Sequence, residues 1–253
     1  INRVKNIYSN SFWSTYDLDS KESQISGLKD LTKEEIVPIY EFDKANIILS
    51  IESDMLGEDQ NSIHNQKTFS KSRKVEKGSD SMNRLYCIES TLTSTGMMAD
   101  HRYKIKPDEV YNFLAELNNQ LLKNGLYNLK NINTSKSIFD KKYEKMIKVL
   151  ARDLIKNRSK SVISVGDSLS SDIHSLVFLL NQELGNNNKT VKYFAVNQSL
   201  KSNFSSLLKL VDKINNKEIE DLFILDLDFV HLFSHKLKDS LSNLVSNIYY
   251  LGS

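Results

Sequence analysis

The chain has 253 residues, 40% of them hydrophobic and 26% charged, enough for one large domain or two small ones and for folding to remove about three quarters of its surface from water. These proportions exclude disordered and collagen-like classes. Lys and Arg total 34 against 32 Asp and Glu, a net charge of +2, and that near-balance argues against a nucleic-acid binder working through a basic face.

No apolar run approaches the ~18 residues needed to cross a bilayer. The chain starts at Ile1 with neither an initiator Met nor a signal-like segment, and it reads as an internal piece of a longer protein. An apolar stretch at 4–8 reads as a strand, and the polar segment 19–35, with Ile25, Leu28 and Leu31 at three-residue steps, as a helix that Pro38 closes off. Residues 46–51, Asn-Ile-Ile-Leu-Ser-Ile, form a continuous apolar run of strand length, the mark of a central strand buried on both faces. From 52 to 83 the chain is polar, with Lys67, Lys71, Arg73, Lys74 and Lys77 bunched among serines, and reads as an exposed helix and loop.

A second buried strand is expected at 85–88 and a polar Ser/Thr loop at 89–95. Pro107-Asp108-Glu109 opens a helix, with Pro in the first turn and two carboxylates at the positive end of the dipole, and Val110, Phe113, Leu114, Leu117 and Leu121 supply its apolar stripe. Residues 123–138 read as a connection. Tyr143, Met146, Ile147, Leu150 and Leu154 mark a further amphipathic helix, and 161–165 a third buried strand. Ile173, Leu176, Val177, Leu180 and Leu184 predict a helix capped by Ser170 or Ser171 and stopped at Gly185. Strand 191–195, helix 204–214, strand 222–225, a helical stretch through Leu237, Leu241 and Leu244, and strand 248–251 complete the chain. The alternation predicts an α/β fold with a mainly parallel, right-handedly wound sheet and helices on both faces, Rossmann-like in character.

Ligands of open parallel sheets bind beyond the carboxyl ends of the strands, so the informative residues are those that follow each buried run. They are Glu52-Ser53-Asp54, Glu89-Ser90-Thr91, Gly166-Asp167-Ser168 and Asp226-Leu227-Asp228. Acids and hydroxyls there suit a base or ribose, and neighbouring helix N-termini suit a phosphate, although the same residues also serve as ordinary helix caps. The Gly-x-Gly-x-x-Gly and Walker-type fingerprints are absent, which removes most weight from ordinary dinucleotide and P-loop readings. His231 and His235 lie four apart with no completing ligand, so no metal is assigned, and Cys87, inside an apolar strand, reads as a packed, unreactive thiol. If Glu89 ends in an open crevice, its replacement by Ala is expected to cost little stability.

Two stretches carry more information than their periodicity. Residues 36–45, Ile-Val-Pro-Ile-Tyr-Glu-Phe-Asp-Lys-Ala, lead into the first buried strand and Met55-Leu56-Gly57; residues 84–96, Arg-Leu-Tyr-Cys-Ile-Glu-Ser-Thr-Leu-Thr-Ser-Thr-Gly, run to Ala99-Asp100 and Ile105-Lys106-Pro107. With these the chain resembles molybdopterin oxidoreductases of the complex iron–sulfur type, and most nearly the molybdopterin-oxidoreductase-like large subunit of bacterial alternative complex III, a quinol:electron-acceptor oxidoreductase. A further stretch of likeness runs from Ser161 through Gly166-Asp167, Ile173-His174-Ser175-Leu176 and Asn181 to Lys189-Thr190-Val191. The resemblance implies two α/β segments, 1–135 and 136–253, of one domain or two closely packed ones.

In cofactor-binding members of that family, the strand-end loops cradle the guanine-dinucleotide arms of the molybdopterin. By position the resemblance implies Asp54, Glu89, Thr91, Thr95, Asp100 and Asp167 as the corresponding residues. The chain departs from the family pattern where Asp-Pro-Arg is typical, having Glu89-Ser90-Thr91, and where Gly-x-Asn-Pro is typical, having Leu225-Asp226-Leu227-Asp228. Losing an Arg and adding acids sets like charge against a polyanion. The expectation is therefore a non-catalytic structural domain without molybdenum cofactor, its iron–sulfur clusters elsewhere in the parent chain. Implied partners are that iron–sulfur portion, an integral membrane quinol-oxidising subunit and a multihaem cytochrome, at the periplasmic face of the bacterial inner membrane. The alternative is a cofactor-binding fragment of an active enzyme resembling polysulfide or thiosulfate reductase, with molybdopterin guanine dinucleotide bound.

Overall fold

The computed structural model of the chain describes residues 2–17, 20–77, 81–126, 141–196, 202–226 and 241–252. In chain order its elements are α1 (Asn2–Ile7), α2 (Glu22–Thr32), β1 (Ile36–Tyr40), β2 (Ile47–Ile51), α3 (Ser62–Lys71), β3 (Arg84–Glu89), α4 (Ser94–Met97), β4 (His101–Lys104) and α5 (Val110–Lys123). Then come α6 (Glu144–Lys156), β5 (Ser161–Val165), α7 (Ser171–Glu183), β6 (Val191–Ala195), α8 (Phe204–Asn215), β7 (Asp221–Leu225), α9 (Leu241–Leu244) and β8 (Asn247–Leu251). They fall into two units, Lys21–Val196 and Ile1–Ser20 with Asn197–Ser253. The expected seam at 135/136 lies outside the described residues. β5, beyond it, nonetheless pairs with β2, before it, so both sides contribute to one sheet.

In the larger unit the fold is α/β, with a four-stranded parallel sheet in the order β4-β3-β2-β5. All five residues of β2 are buried, as are all five of β5, which is why these strands read as unbroken apolar runs. Burial then sorts by strand period. Leu49, Ile51, Tyr86, Ile88 and Ile163 pack with the apolar stripes of α5, α6 and α7, whereas Ile48, Leu85 and Val162 face Phe42, Met55 and Phe69 on the other side. Helices thus flank both faces.

β5 is an edge strand, and its outward backbone is covered by a side chain. Asn181 of α7 accepts from Ile163 N (3.1 Å) and donates to Ile163 O (2.8 Å), imitating a neighbouring strand, while Ser161 Oγ donates to Asn186 Oδ1 (3.1 Å). The turn that places Asn186 begins at Gly185, in the left-handed region at φ 71°, where the helix ends as expected.

Three local expectations change. Residues 4–8 do not form a strand: Val4, Ile7 and Tyr8 sit at i, i+3, i+4, a helical spacing, and α1 takes most of that stretch. Pro38 does not merely end a helix but lies inside β1, which pairs antiparallel with β6 as a separate two-stranded sheet; such a marginal strand tolerates the missing N–H. β4, polar and alternately exposed, had no apolar run to announce it. In the smaller unit β7 and β8 pair in parallel, and α8 and α9 cover Leu222 and Ile224. No helix among the described residues is long and apolar enough to cross a membrane.

Candidate functional site

Strand order in the larger unit reverses between β2 and β5, because β3 and β4 lie to one side of β2 and β5 to the other. The crevice outside the carboxyl ends of these two strands is where an open parallel sheet receives a ligand. Their loops run close together: a Cβ on Gly166 would stand 1.7 Å from Glu52 O, so glycine is required there by the approach of backbone to backbone. Glu52 itself adopts φ 47°, and its Oε2 accepts from Ser90 Oγ at 3.0 Å.

Asp54 does not face an open crevice. Its Oδ1 accepts from both the N–H (2.9 Å) and the Oγ1 (2.8 Å) of Thr95, its Oδ2 accepts from Glu58 N (3.3 Å), and Thr95 Oγ1 in turn accepts from Leu56 N (3.0 Å). The loop after β2 is thereby tied to α4. Glu89, the last residue of β3, is 2% exposed. It accepts from Arg102 Nε of β4 and from Thr93 Oγ1 (2.6 Å) and N (3.4 Å), and Thr93 Oγ1 accepts from Gly96 N (3.1 Å) to cap α4. An open-ended Glu89 is therefore corrected to a buried, paired one. Behind it Cys87 is fully buried, and burial first, then the Glu89 carboxylate, pushes its thiol far up, so it is the inert thiol expected.

Asp54, Glu89 and Thr95 are thus brought together as one network, and Asp167 follows β5 at the neighbouring loop, accepting from Gln24 Nε2 (3.2 Å) with Lys21 Nζ 3.9 Å away. Thr91 is exposed in the loop after β3. Asp100 is elsewhere. It precedes β4 at the amino end of the sheet, where its N donates to Leu85 O (3.0 Å), its Oδ2 accepts from Leu85 N (2.7 Å) and Arg73 grips both oxygens at 3.0 and 2.6 Å. Burial raises the Asp100 carboxyl, but the hydrogen bonds from Arg73 and the Leu85 amide outweigh it and hold it below its ordinary value. Of the acids expected after β7, Asp226 belongs to the smaller unit and donates its N–H to Leu251 O at 2.8 Å; Leu227, Asp228, His231 and His235 lie outside the described residues.

Arg102, Thr93, Asp59, Gln24 and Asn65 were not singled out from sequence. Arg102, Gln24 and Asn65 reach the site from other elements, β4, α2 and α3, while Thr93 and Asp59 lie in the polar loops after β3 and β2, and no spacing rule marks any of them. Asp59 accepts from Ser53 Oγ at 2.6 Å. Between β1, α2, the loop carrying Asp59 and the end of β5 lies a small recess with room for about one water-sized guest. A second, similarly small and mostly apolar recess adjoins it beneath Tyr40 and His174. Burial, then Tyr193 and the charges of Asp167 and Asp59, pushes the Tyr40 phenol well above its ordinary value, while burial takes His174 down to about 4 against carbonyl hydrogen bonds that oppose it.

The described residues do not fit a guanine-dinucleotide arm. Asp54 and Thr95 bond to each other, Glu89 is committed to Arg102 and Thr93, and the space at the switch point is water-sized and edged by carboxylates that would repel a pyrophosphate. No protein-family model matches the chain, and no curated protein matches it.

Proposed function

We propose that this chain is a structural domain of the large subunit of a membrane-associated respiratory quinol:electron-acceptor oxidoreductase, similar to that of alternative complex III, in which the loops that would cradle a molybdopterin cofactor bind each other instead. What carries the reading is the closure of the strand ends by their own acids: Asp54 on Thr95, and Glu89 on Arg102 and Thr93. An acid at the end of β3, where cofactor binders of the resembled family have Asp-Pro-Arg, works as a rivet between β3, β4 and α4. In this role the domain packs against the iron–sulfur portion of its subunit, and against a quinol-oxidising membrane subunit and a multihaem cytochrome at the periplasmic face of the inner membrane.

The test is compositional. Protein purified from its native membranes should co-elute with haem absorbance and contain molybdenum and pterin at far below one per chain. One molybdenum and two pterins per chain would overturn the reading and favour a polysulfide- or thiosulfate-reductase-like enzyme.

A further inference from the structure

The recess at the switch point is lined by an unbalanced set of groups. Gln24 is 3% exposed, and its Nε2 is turned to Asp167 Oδ1 (3.2 Å), which fixes the amide so that Oε1 has no donor. Asn65, also 3% exposed, has an Oδ1 without a donor. Both residues line the recess together with Asp59 and Asp167. Buried acceptors left without a donor are unfavourable. The guest that relieves them must bring positive charge or protons; an anion is excluded by every one of these oxygens.

Charge decides between the remaining guests. The charged side chains among the lining residues are two carboxylates and the ammonium of Lys21, and both carboxylates act on the half-buried Tyr40 phenol that shares this lining. A water molecule would satisfy hydrogen bonds but add no charge, and an organic ammonium exceeds the room available. A bare metal ion fits. The donors are all oxygen, carboxylate and carboxamide, the set preferred by hard divalent cations and not by zinc or copper. Among the described residues no cluster of three or more His, Cys, Asp or Glu converges anywhere, so the amides are essential to this site.

We propose that the recess between β1, α2, the loop carrying Asp59 and the end of β5 binds one hard divalent cation of the calcium or magnesium class, ligated by Asp59, Asp167 and the amide oxygens of Gln24 and Asn65. The ion pins α2 and α3 to the end of β5. The same electronegative strand ends that repel a dinucleotide pyrophosphate favour this guest. The site does not depend on the parent enzyme proposed above, and molybdenum analysis does not bear on it.

Titration calorimetry of the whole chain, stripped with EDTA, against calcium chloride and separately magnesium chloride tests this. One of the two should bind at one ion per chain and raise the melting temperature with saturation. Asp167→Asn should weaken binding by at least about tenfold, a loss already typical when only the outer partner of a ligand is removed. Lys21→Gln should tighten it, because a competing cation is gone, and no simply destabilising substitution does that. If Asp167→Asn fails to fold, Gln24→Met, of similar shape but lacking the oxygen, takes its place with the same expected direction. Absence of heat and of any melting shift with both metals, undiminished binding in the ligand variant, or unchanged or weaker binding in Lys21→Gln would overturn the site and leave a water-filled polar pocket.

Discussion

β2 and the pair β7–β8 are built from similar words, Ile-Ile-Leu-Ser-Ile against Asp-Leu-Phe-Ile-Leu and Asn-Ile-Tyr-Tyr-Leu, and they meet different fates. β2 has a parallel neighbour on each side and helices over each face, and every residue is buried. β7 alternates: Leu222 and Ile224 are buried under α8 and α9, while Phe223 is 62% and Leu225 49% exposed. β8 has no buried residue at all. Parallel strands are ordinarily covered on both faces, so an apolar run states only that a strand wants cover; its place in the sheet decides whether it has it. The stability of the chain should therefore be concentrated around β2.

The substitution with the largest expected effect tests that concentration directly. Ile48→Asp puts a carboxylate at a fully buried position among Phe42, Met55 and Leu85, and should cost about 3–5 kcal/mol, since nothing there can solvate or pair the charge. Urea denaturation followed by circular dichroism measures it. A soluble variant with an unchanged midpoint would mean that β2 is not the covered strand of the comparison.

Glu89→Ala comes next. The carboxylate holds Arg102 and Thr93 at once, and removing it strips a charge-assisted bond and leaves the Thr93 hydroxyl to find another partner. Arg102 keeps about a third of its side chain in water (31%), which recovers part of the loss. The expected cost is about 2–3 kcal/mol, below that of a lone buried charge. A cost near zero, by the same denaturation measurement, would show that the strand-end loops are held by something other than their acids, and the closed-crevice reading would fall with it.

How much of this was legible depends on whether a residue's role is local. The buried runs of β2, β3 and β5 and the stripes of α5, α6 and α7 could be read because burial imposes a period that sequence records. Gly185 could be read because only its left-handed turn stops α7 there. β1 and β4 could not: each exists because a particular partner strand lies beside it, β6 and β3 respectively; β4 carries no apolar run, and the apolar run of β1 is interrupted by Pro38, which reads as a breaker. The site divides the same way. Asp54, Glu89 and Asp167 follow buried strands and were found by that rule, whereas Asp100, chosen by likeness, sits at the amino end of the sheet because the chain between β3 and β4 returns to start a parallel strand. Asn65 and Gln24, on α3 and α2, gave no signal, since an isolated amide in a polar helix looks like solvent-facing surface until packing buries it.

The smallest effect is expected on the bare face of β7–β8, and it is the sharpest test of the comparison. Phe223 stacks on Tyr249 across the pair, with ring centroids 4.5 Å apart and planes 12° apart. An exposed cross-strand aromatic contact of this kind contributes roughly 0.2–1 kcal/mol. Phe223→Ser forfeits that contact and some strand propensity but opens no cavity, so its cost should stay below about 1 kcal/mol, a fraction of that of Ile48→Asp. If Phe223→Ser instead shifts the urea midpoint as far as a core substitution does, the face is covered in solution. β7 and β8 would then belong to a fully enclosed sheet, and the contrast with β2 would be one of degree.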